Sequence, residues 1–332
     1  MSRATKPICD YEGSAYRTEF WGQGREYEDA VERVALRHLL PPTGRRLVEI
    51  GAGYGRLADL YSGYDEVVFF DYALSQLRQA RELWEDAAPG GRPRYVYVAG
   101  DFYNLPFASG LFDTVATVRT IHHAADPPAV LQGVARILAP GGAFVLEFAN
   151  KRNVKAILRY LVRRQDWSPF DWEPVEFVEL NLNFHPAWMW ERLAEVGLQI
   201  QELRTVSHFR LGLLKRLVPT GLLVSLDRLF QPTGALFQLT PSVFVRADAV
   251  RPPDAARPPD ATHPPGAGAY KPSAPPGAFF RCTVCGSTML EDEGYALCCI
   301  DCDASFAVHD RRGASGGIYD FKAPLAGEEG AE

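Results

Sequence analysis

Cysteine is scarce in this sequence and unevenly placed. The chain of 332 residues has six cysteines, with none between Cys9 and Cys282. Five crowd into 282–302, which argues against a disulfide framework spread through the fold and for a local set of metal ligands. Long apolar runs are missing too. The most apolar later stretch, 211–230, is interrupted by Lys215, Arg216, Pro219 and Asp227, so a membrane-spanning helix is not expected. Basic residues near the N-terminus are not followed by an apolar segment, so no secretory leader is expected and the expected location is cytoplasmic. Positive charge is not in excess either. With 35 Lys and Arg against 41 Asp and Glu the net charge is −6, which excludes a general polyanion binder but leaves room for a local basic patch.

What is present is an ordinary globular composition, 47% hydrophobic and 23% charged, enough for a sizeable core. Three regions separate by composition. Residues 1–248 alternate short apolar runs with helical patterns. Residues 249–278 form a Pro- and Ala-rich linker with four Pro-Pro pairs, a composition that cannot bury a core. Residues 279–322 hold the cysteines, and 323–332 is an acidic tail.

Within 1–248, strands are expected at 46–50, 66–70, 94–99, 114–118, 143–148, 198–206 and 242–246. Helices are expected at 27–40, from 55 to 61, and at 75–86, 127–138 and 186–196. Strands alternating with helices imply an α/β fold: a Rossmann-like, doubly wound, mostly parallel sheet of seven strands, with the cysteine region as a small separate unit. Two stretches, 151–183 and 209–240, exceed the minimal pattern. They follow strand ends where ligands of open α/β sheets bind, and are candidate caps.

The first strand runs into Glu49-Ile50-Gly51-Ala52-Gly53-Tyr54-Gly55, whose glycines permit a tight turn and close approach of a ligand to the backbone. The dinucleotide fingerprint wants a glycine three residues after the second one, and that position is Arg56. The second strand ends at Asp71, an acid suited to two free ribose hydroxyls. A further acid, Asp101, follows the third strand with Phe102 beside it, a pair suited to an adenine ring and its amino group.

These segments, with Asn104-Leu105-Pro106-Phe107, Leu111-Phe112-Asp113, Ile121-His122-His123 and Arg136-Ile137-Leu138-Ala139-Pro140-Gly141-Gly142, resemble class I S-adenosylmethionine-dependent methyltransferases. They are similar to the ubiquinone-biosynthesis-like subgroup, methyltransferase type 11. The likeness covers roughly residues 45–150. It implies that Gly51, Ala52, Gly53 and Gly55 wrap the methionine part of S-adenosylmethionine. It implies that Asp71, with Tyr72 beside it, binds the ribose, that Asp101 and Phe102 frame the adenine, and that Glu49 acts near the methionine amino group. The alternatives are a non-catalytic Rossmann-like module that uses the cysteine region to bind RNA or protein, and an NAD(P)-dependent oxidoreductase, which Arg56 disfavours.

The sulfonium of such a cofactor is already an activated donor, so the protein mainly aligns an acceptor and excludes water. His122 and His123 follow the fourth strand at the mouth of the site. Either could serve as a base, although strand capping or cofactor contact is the plainer reading. Asp126-Pro127-Pro128 is read as a helix cap with proline in the first turn, not as a base-methylation motif. The acceptor, whether small molecule, lipid or a translation-related RNA or protein, is not specified.

Residues 151–164 read as a basic amphipathic helix, able to face a phosphate-bearing substrate, RNA or a membrane surface, or simply to be a solvated face. Tyr16 or Phe20 could shield a sulfonium by cation–π contact. Cys282-Thr283-Val284-Cys285 and Cys299-Ile300-Asp301-Cys302 are two knuckles matching a structural zinc site, with Cys298 spare. The module resembles the Trm112-type zinc ribbon. That resemblance implies Zn2+ and contact with RNA or translation factors, although here the ribbon is C-terminal and tethered.

Overall fold

The computed structural model describes residues 6–22, 24–85, 93–250, 276–311 and 316–325. Most of the expected linker, 251–275, and most of the acidic tail, 326–332, lie outside the described residues.

Seven strands form the expected sheet: β1 Gly44–Ile50, β2 Tyr64–Asp71, β3 Arg94–Ala99, β4 Phe112–Thr117, β5 Leu138–Ala149, and, numbered after the hairpin below, β8 Leu198–Val206 and β9 Ser242–Ala249. Their spatial order is β3-β2-β1-β4-β5-β9-β8. The first five are parallel, and β9 runs antiparallel to both neighbours. The helices are α1 Glu26–Leu39, α2 Leu74–Trp84, α3 Pro127–Ile137, α4 Val154–Leu161, α5 Pro186–Glu195, α6 Gly212–Leu217 and α7 Thr220–Phe230. Two apolar cores result, one on each sheet face. Val48, Phe70, Val115 and Leu146 belong to one; Leu47, Phe69, Val145 and Phe244 belong to the other, as alternation along a doubly covered strand requires.

Two expectations are corrected, and the place of the cysteine region is settled. The helix from 55 to 61 is reduced to a 3₁₀ turn at Ala58–Tyr61. The backbone there closes i→i+3 hydrogen bonds, Ala58 N–H to the Gly55 carbonyl and Leu60 N–H to that of Leu57, the tighter 3₁₀ spacing. The first cap contains an unforeseen hairpin, β6 Val175–Val178 and β7 Asn181–Asn183, turned at Leu180 with a left-handed φ of 52°. The cysteine region, finally, packs against the seven-stranded sheet and extends it. After α8, Pro276–Phe279, it forms β10 Leu290–Asp292, β11 Ala296–Cys299, β12 Ser305–His309 and β13 Ile318–Asp320. Strand β13 pairs in parallel with β3, making one sheet of eleven strands. An uncovered β3 would expose a row of unpaired backbone groups, and β13 supplies their partners. Phe279, Phe280, Phe306 and Phe321 join the core of Phe107 and Phe112.

The carboxyl ends of the parallel strands are level. Ile50 pairs with Phe70 and Thr117, and Asp71 with Ala99. Between β1 and β4 the connection order reverses, the place where open α/β sheets hold ligands.

Candidate functional site

A pocket opens at that edge. Its walls include Gly51 and Gly53 of the glycine turn, Asp71 and Tyr72 after β2, Gly100 and Phe102 after β3, and Val118, Arg119, Thr120 and His123 after β4. Ile8, Cys9, Tyr11 and Tyr16 close it from the N-terminal segment. Sequence reading thus placed Gly51, Gly53, Asp71, Tyr72, Phe102 and His123 at one site. Glu49, Ala52, Gly55, Asp101 and His122 are outside that lining set.

The turn is built by hydrogen bonds to β2. Gly51 and Ala52 donate their N–H groups to the Phe70 carbonyl at 2.8 and 3.1 Å, and Gly53 N–H donates to Asp71 Oδ2 at 2.8 Å. Glycine is obligatory at Gly51 and favoured at Gly53. Gly51 has φ 76°, and a Cβ on it would stand 2.0 Å from Thr120 Oγ1. Gly53 has φ 53°, and a Cβ there would project into open space at the pocket wall. Asp71 Oδ1 accepts Ala73 N–H at 2.9 Å. Its pKa is raised, mainly by burial, with the Ala73, Gly53 and Tyr72 backbone N–H groups opposing.

Behind the wall lies Glu49. Its Oε2 has no hydrogen-bond partner among the described residues. Burial pushes its pKa up to about 8, with Arg56 opposing. A raised carboxyl pKa stabilises the fold fully below the ordinary value near 4.5, and that stability is lost as pH rises through about 8. The melting temperature of Glu49→Gln should therefore gain on wild type across that window. A difference that does not vary with pH would show that the carboxyl is not desolvated as described.

Arg56, which occupies the position where a dinucleotide site has glycine, has its own task. Its guanidinium pairs with Asp29 and, at 2.8 Å, with Glu32 of α1, beneath the Trp21 ring at 3.8 Å. Glu32 also binds Arg119. Burial would raise the Glu32 pKa, but Arg119 and Arg56 together hold it low. Glu147 in turn accepts the Arg119 backbone N–H at 2.9 Å and the Ser242 hydroxyl at 2.5 Å. The paired charges offset the cost of burial and fix α1, β4 and β5 around the pocket. Arg119, with a left-handed φ of 57°, was not foreseen. Its only sequence signal was its place between β4 and the two histidines.

The histidines differ. His123 Nδ1 is 2.9 Å from the Leu180 carbonyl of the hairpin, so Nδ1 carries the proton and Nε2 accepts from the Tyr11 hydroxyl at 3.2 Å. Burial holds its pKa down, so the ring is neutral near pH 7. His122, its ring centre 4.1 Å away, is held lower still by burial and by His123 and Arg119, and its Nδ1 finds no partner among the described residues. Tyr16 reaches the pocket, while Phe20 stacks behind it at 5.1 Å.

Residues 48–146 match a family model described as a methyltransferase domain. They are similar in this stretch to class I S-adenosylmethionine-dependent methyltransferase domains. The chain is 34% identical over 126 residues to a ubiquinone biosynthesis O-methyltransferase of Paracidovorax citrulli, covering 37% of this chain and 51% of that protein. It is 35% identical over 126 residues to a demethylmenaquinone methyltransferase of Corynebacterium kroppenstedtii, covering 37% and 50%. An uncharacterized chloroplastic methyltransferase of Arabidopsis thaliana is 31% identical over 131 residues, covering 38% and 35%. The chain therefore spans about half or less of the length of these curated relatives. Among solved structures, the complex between the Haloferax volcanii Trm112 methyltransferase activator and a candidate methyltransferase contains a similar chain. It superposes with a TM-score of 0.50 at 18% identity, covering 71% of this chain and 97% of that one, a likeness of fold.

The methyltransferase domain carries the cysteine cluster on its β3 edge. The sulfurs of Cys282, Cys285, Cys299 and Cys302 all lie within 4.8 Å of one another. Cys282 and Cys302 are 3.7 Å apart and Cys285 and Cys299 3.6 Å. A disulfide needs about 2.05 Å. A tetrahedral ion with bonds of about 2.3 Å sets its ligands about 3.8 Å apart. Both knuckles turn alike. Gly286 (φ 84°) sends its N–H to the Cys282 carbonyl, and Asp303 (φ 57°) sends its N–H to that of Cys299. The left-handed glycine was legible; the left-handed aspartate was not. Cys298 points elsewhere, to the Ser305 hydroxyl at 3.2 Å.

Proposed function

We propose that the protein transfers the methyl group of S-adenosylmethionine to an acceptor that enters between the caps 151–183 and 209–240. The observation that carries this reading is the convergence of Gly51, Gly53, Asp71 and Phe102 from three successive strand ends on one pocket. Gly53 would let the methionine part lie against the backbone, Asp71 would accept the ribose hydroxyls, and Phe102 would cover the adenine. Tyr16 would shield the cationic sulfur. The bound cofactor would supply an activated methyl group. The protein supplies alignment and exclusion of water, the latter through Tyr11 and Tyr16. Titration calorimetry tests the reading: S-adenosylmethionine should bind and NADH should not, and the reverse would overturn it.

His123 is our candidate base. With Nδ1–H held by Leu180, Nε2 would take the Tyr11 hydroxyl proton as the Tyr11 oxygen takes one from the acceptor, so the base acts through Tyr11. His123→Asn should cut turnover by about 10²-fold or more while leaving cofactor affinity within about twofold. Because burial depresses its pKa, wild-type turnover should stay level from neutrality upward and fall on the acid side. Full turnover in the variant would remove His123 from the chemistry.

We read the four-cysteine module as a structural zinc ribbon of the Trm112 type, here part of the same chain. The sulfur spacing supports zinc, and the pairing of β13 with β3 supports a role in holding the methyltransferase domain. The names of the curated relatives support a small apolar acceptor over a nucleic acid.

A further inference from the structure

The two caps leave the sheet at the same edge. Ala149, at the end of β5, pairs with Ser242, and Ser242 pairs with Val206, at the end of β8. Both insertions therefore project from the end of the sheet that holds the pocket. They also touch: Val154 N–H donates to the Leu239 carbonyl at 2.9 Å, and Asn150 Nδ2 donates to the carbonyls of Gln238 and Thr240. Helix α6 is tied to the segment below the pocket by Lys215, which binds Glu28 at 2.9 Å and the Gly24 carbonyl at 2.8 Å.

An amphipathic helix in a globular protein ordinarily buries its apolar stripe. Here α4 does the opposite. It buries only Ala156, while Leu158, Leu161 and Val162 are 56%, 66% and 61% exposed. With Val154 they form an i, i+4, i+7, i+8 stripe. The second cap repeats the pattern: Leu213 and Leu217 on α6, Leu229 on α7, and Leu236 and Phe237 beyond it, all stand more than 60% exposed. Exposed apolar area of this extent marks an interaction surface.

Charge identifies the occupant. Residues 151–165 and 209–240 together carry ten Lys and Arg against one acid, the buried Asp227, in a chain of net charge −6. Lys155, Arg159, Arg163 and Arg164 are exposed beside the apolar stripe, and Arg216 and Arg228 beside the second. The acids of the first cap, Asp166, Asp171, Glu173, Glu176 and Glu179, follow α4, on the segment leading to the hairpin and in the hairpin itself. Apolar side chains flanked by basic ones, on short helices lying at one end of a domain, suit the boundary between acyl chains and acidic headgroups. A nucleic acid would use the charges and leave the leucines in water. No helix among the described residues is long and apolar enough to cross a membrane, so the contact is with the surface of the bilayer.

We infer that this end of the molecule docks on an anionic lipid bilayer through α4 and the α6–α7 cap. The mouth of the pocket then faces the lipid. In combination with the methyl-transfer reading, on which this last step rests, the acceptor is an amphiphile presented by the bilayer.

Vesicle flotation of the full chain without cofactor tests the docking. The protein should float with phosphatidylcholine vesicles containing phosphatidylglycerol and remain in solution with pure phosphatidylcholine. Each exposed basic residue is worth roughly a factor of five at such a surface. Lys155→Glu with Arg159→Glu should thus weaken binding by well over tenfold, and salt should weaken that of the wild type. Leu158→Asp with Leu161→Asp should abolish flotation. Both pairs are exposed and outside the pocket, so unchanged calorimetry with S-adenosylmethionine would establish that the variants are folded. Failure to float with either vesicle, or equal flotation with both, overturns the inference. So does a dimer in light scattering that the double Leu→Asp variant dissociates, since the face would then be covered by a second copy. None of these results bears on cofactor binding, which calorimetry reads separately.

Discussion

Asp71→Ala will weaken S-adenosylmethionine binding by about a hundredfold or more, the larger of the losses expected at this site. An ionised carboxylate offers roughly four acceptor positions. Two are taken, by the backbone N–H groups of Gly53 and Ala73. The remainder at the pocket wall would meet the two ribose hydroxyls, and hydrogen bonds to a charged group are worth roughly 1.5–3 kcal/mol each. Removal of the carboxylate also frees the Gly53 backbone, so the turn under the methionine part loses one of its ties. Asp71→Asn keeps the shape and one acceptor and should fall between the two. Calorimetry decides the matter. Wild-type affinity in both variants would sink the assignment of the pocket, and Asn serves as the reading if Ala does not fold.

The second large effect concerns metal. Elemental analysis should find one zinc per chain. Binding of zinc to such a site is worth roughly 10–16 kcal/mol of folding free energy. The module β10–β13 has short strands and shares its core with its neighbour, so the ion would order the knuckles that the module cannot order by packing alone. Stripping the ion with a chelator, or Cys299→Ser, should release the module, uncover the β3 edge and lower the melting temperature by many degrees. Cofactor affinity should fall with it. Phe321 donates its N–H to the Ala99 carbonyl at 2.8 Å, its Cβ lies 3.8 Å from where a Cβ of Gly100 would be, and Lys322 lies over the Tyr72 ring. Asn104 Nδ2 further donates to the Thr283 carbonyl at 2.9 Å. The module thus grips the loop that carries Phe102. A chelated protein with unchanged melting and unchanged affinity would show that the cysteines hold no structural ion.

Much of the pocket was legible because its residues sit at fixed offsets from strand ends. A glycine that must take positive φ, an acid that ends a strand and a proline in the first turn of a helix each announce a local backbone requirement. Asp126 caps α3 by accepting Ala129 N–H at 3.1 Å, as its place before Pro127 suggested. Arg119 was not legible as a pocket wall, since its value comes from Glu32 and Glu147, far away in the chain. Aromatic residues of the first cap region divide between core and surface, which their spacing does not decide. Phe184 and Trp188 are core, whereas Phe170, Trp172 and Phe177 are exposed, and none of them lines the pocket.

The sequence by itself determined the doubly wound sheet, the glycine turn and the two cysteine knuckles. Each depends on residues within a few positions of one another, where backbone conformation and side-chain period act directly. Only the tertiary structure decided what those pieces do together. It placed a strand of three residues, Ile318–Asp320, beside β3 and so joined the cysteine module to the main sheet. It separated His123 from His122, by giving one a carbonyl partner from a distant hairpin and the other none. It left the apolar stripes of the caps facing outward, because whether an amphipathic helix buries its stripe depends on what the fold sets against it, and that is not written in the helix.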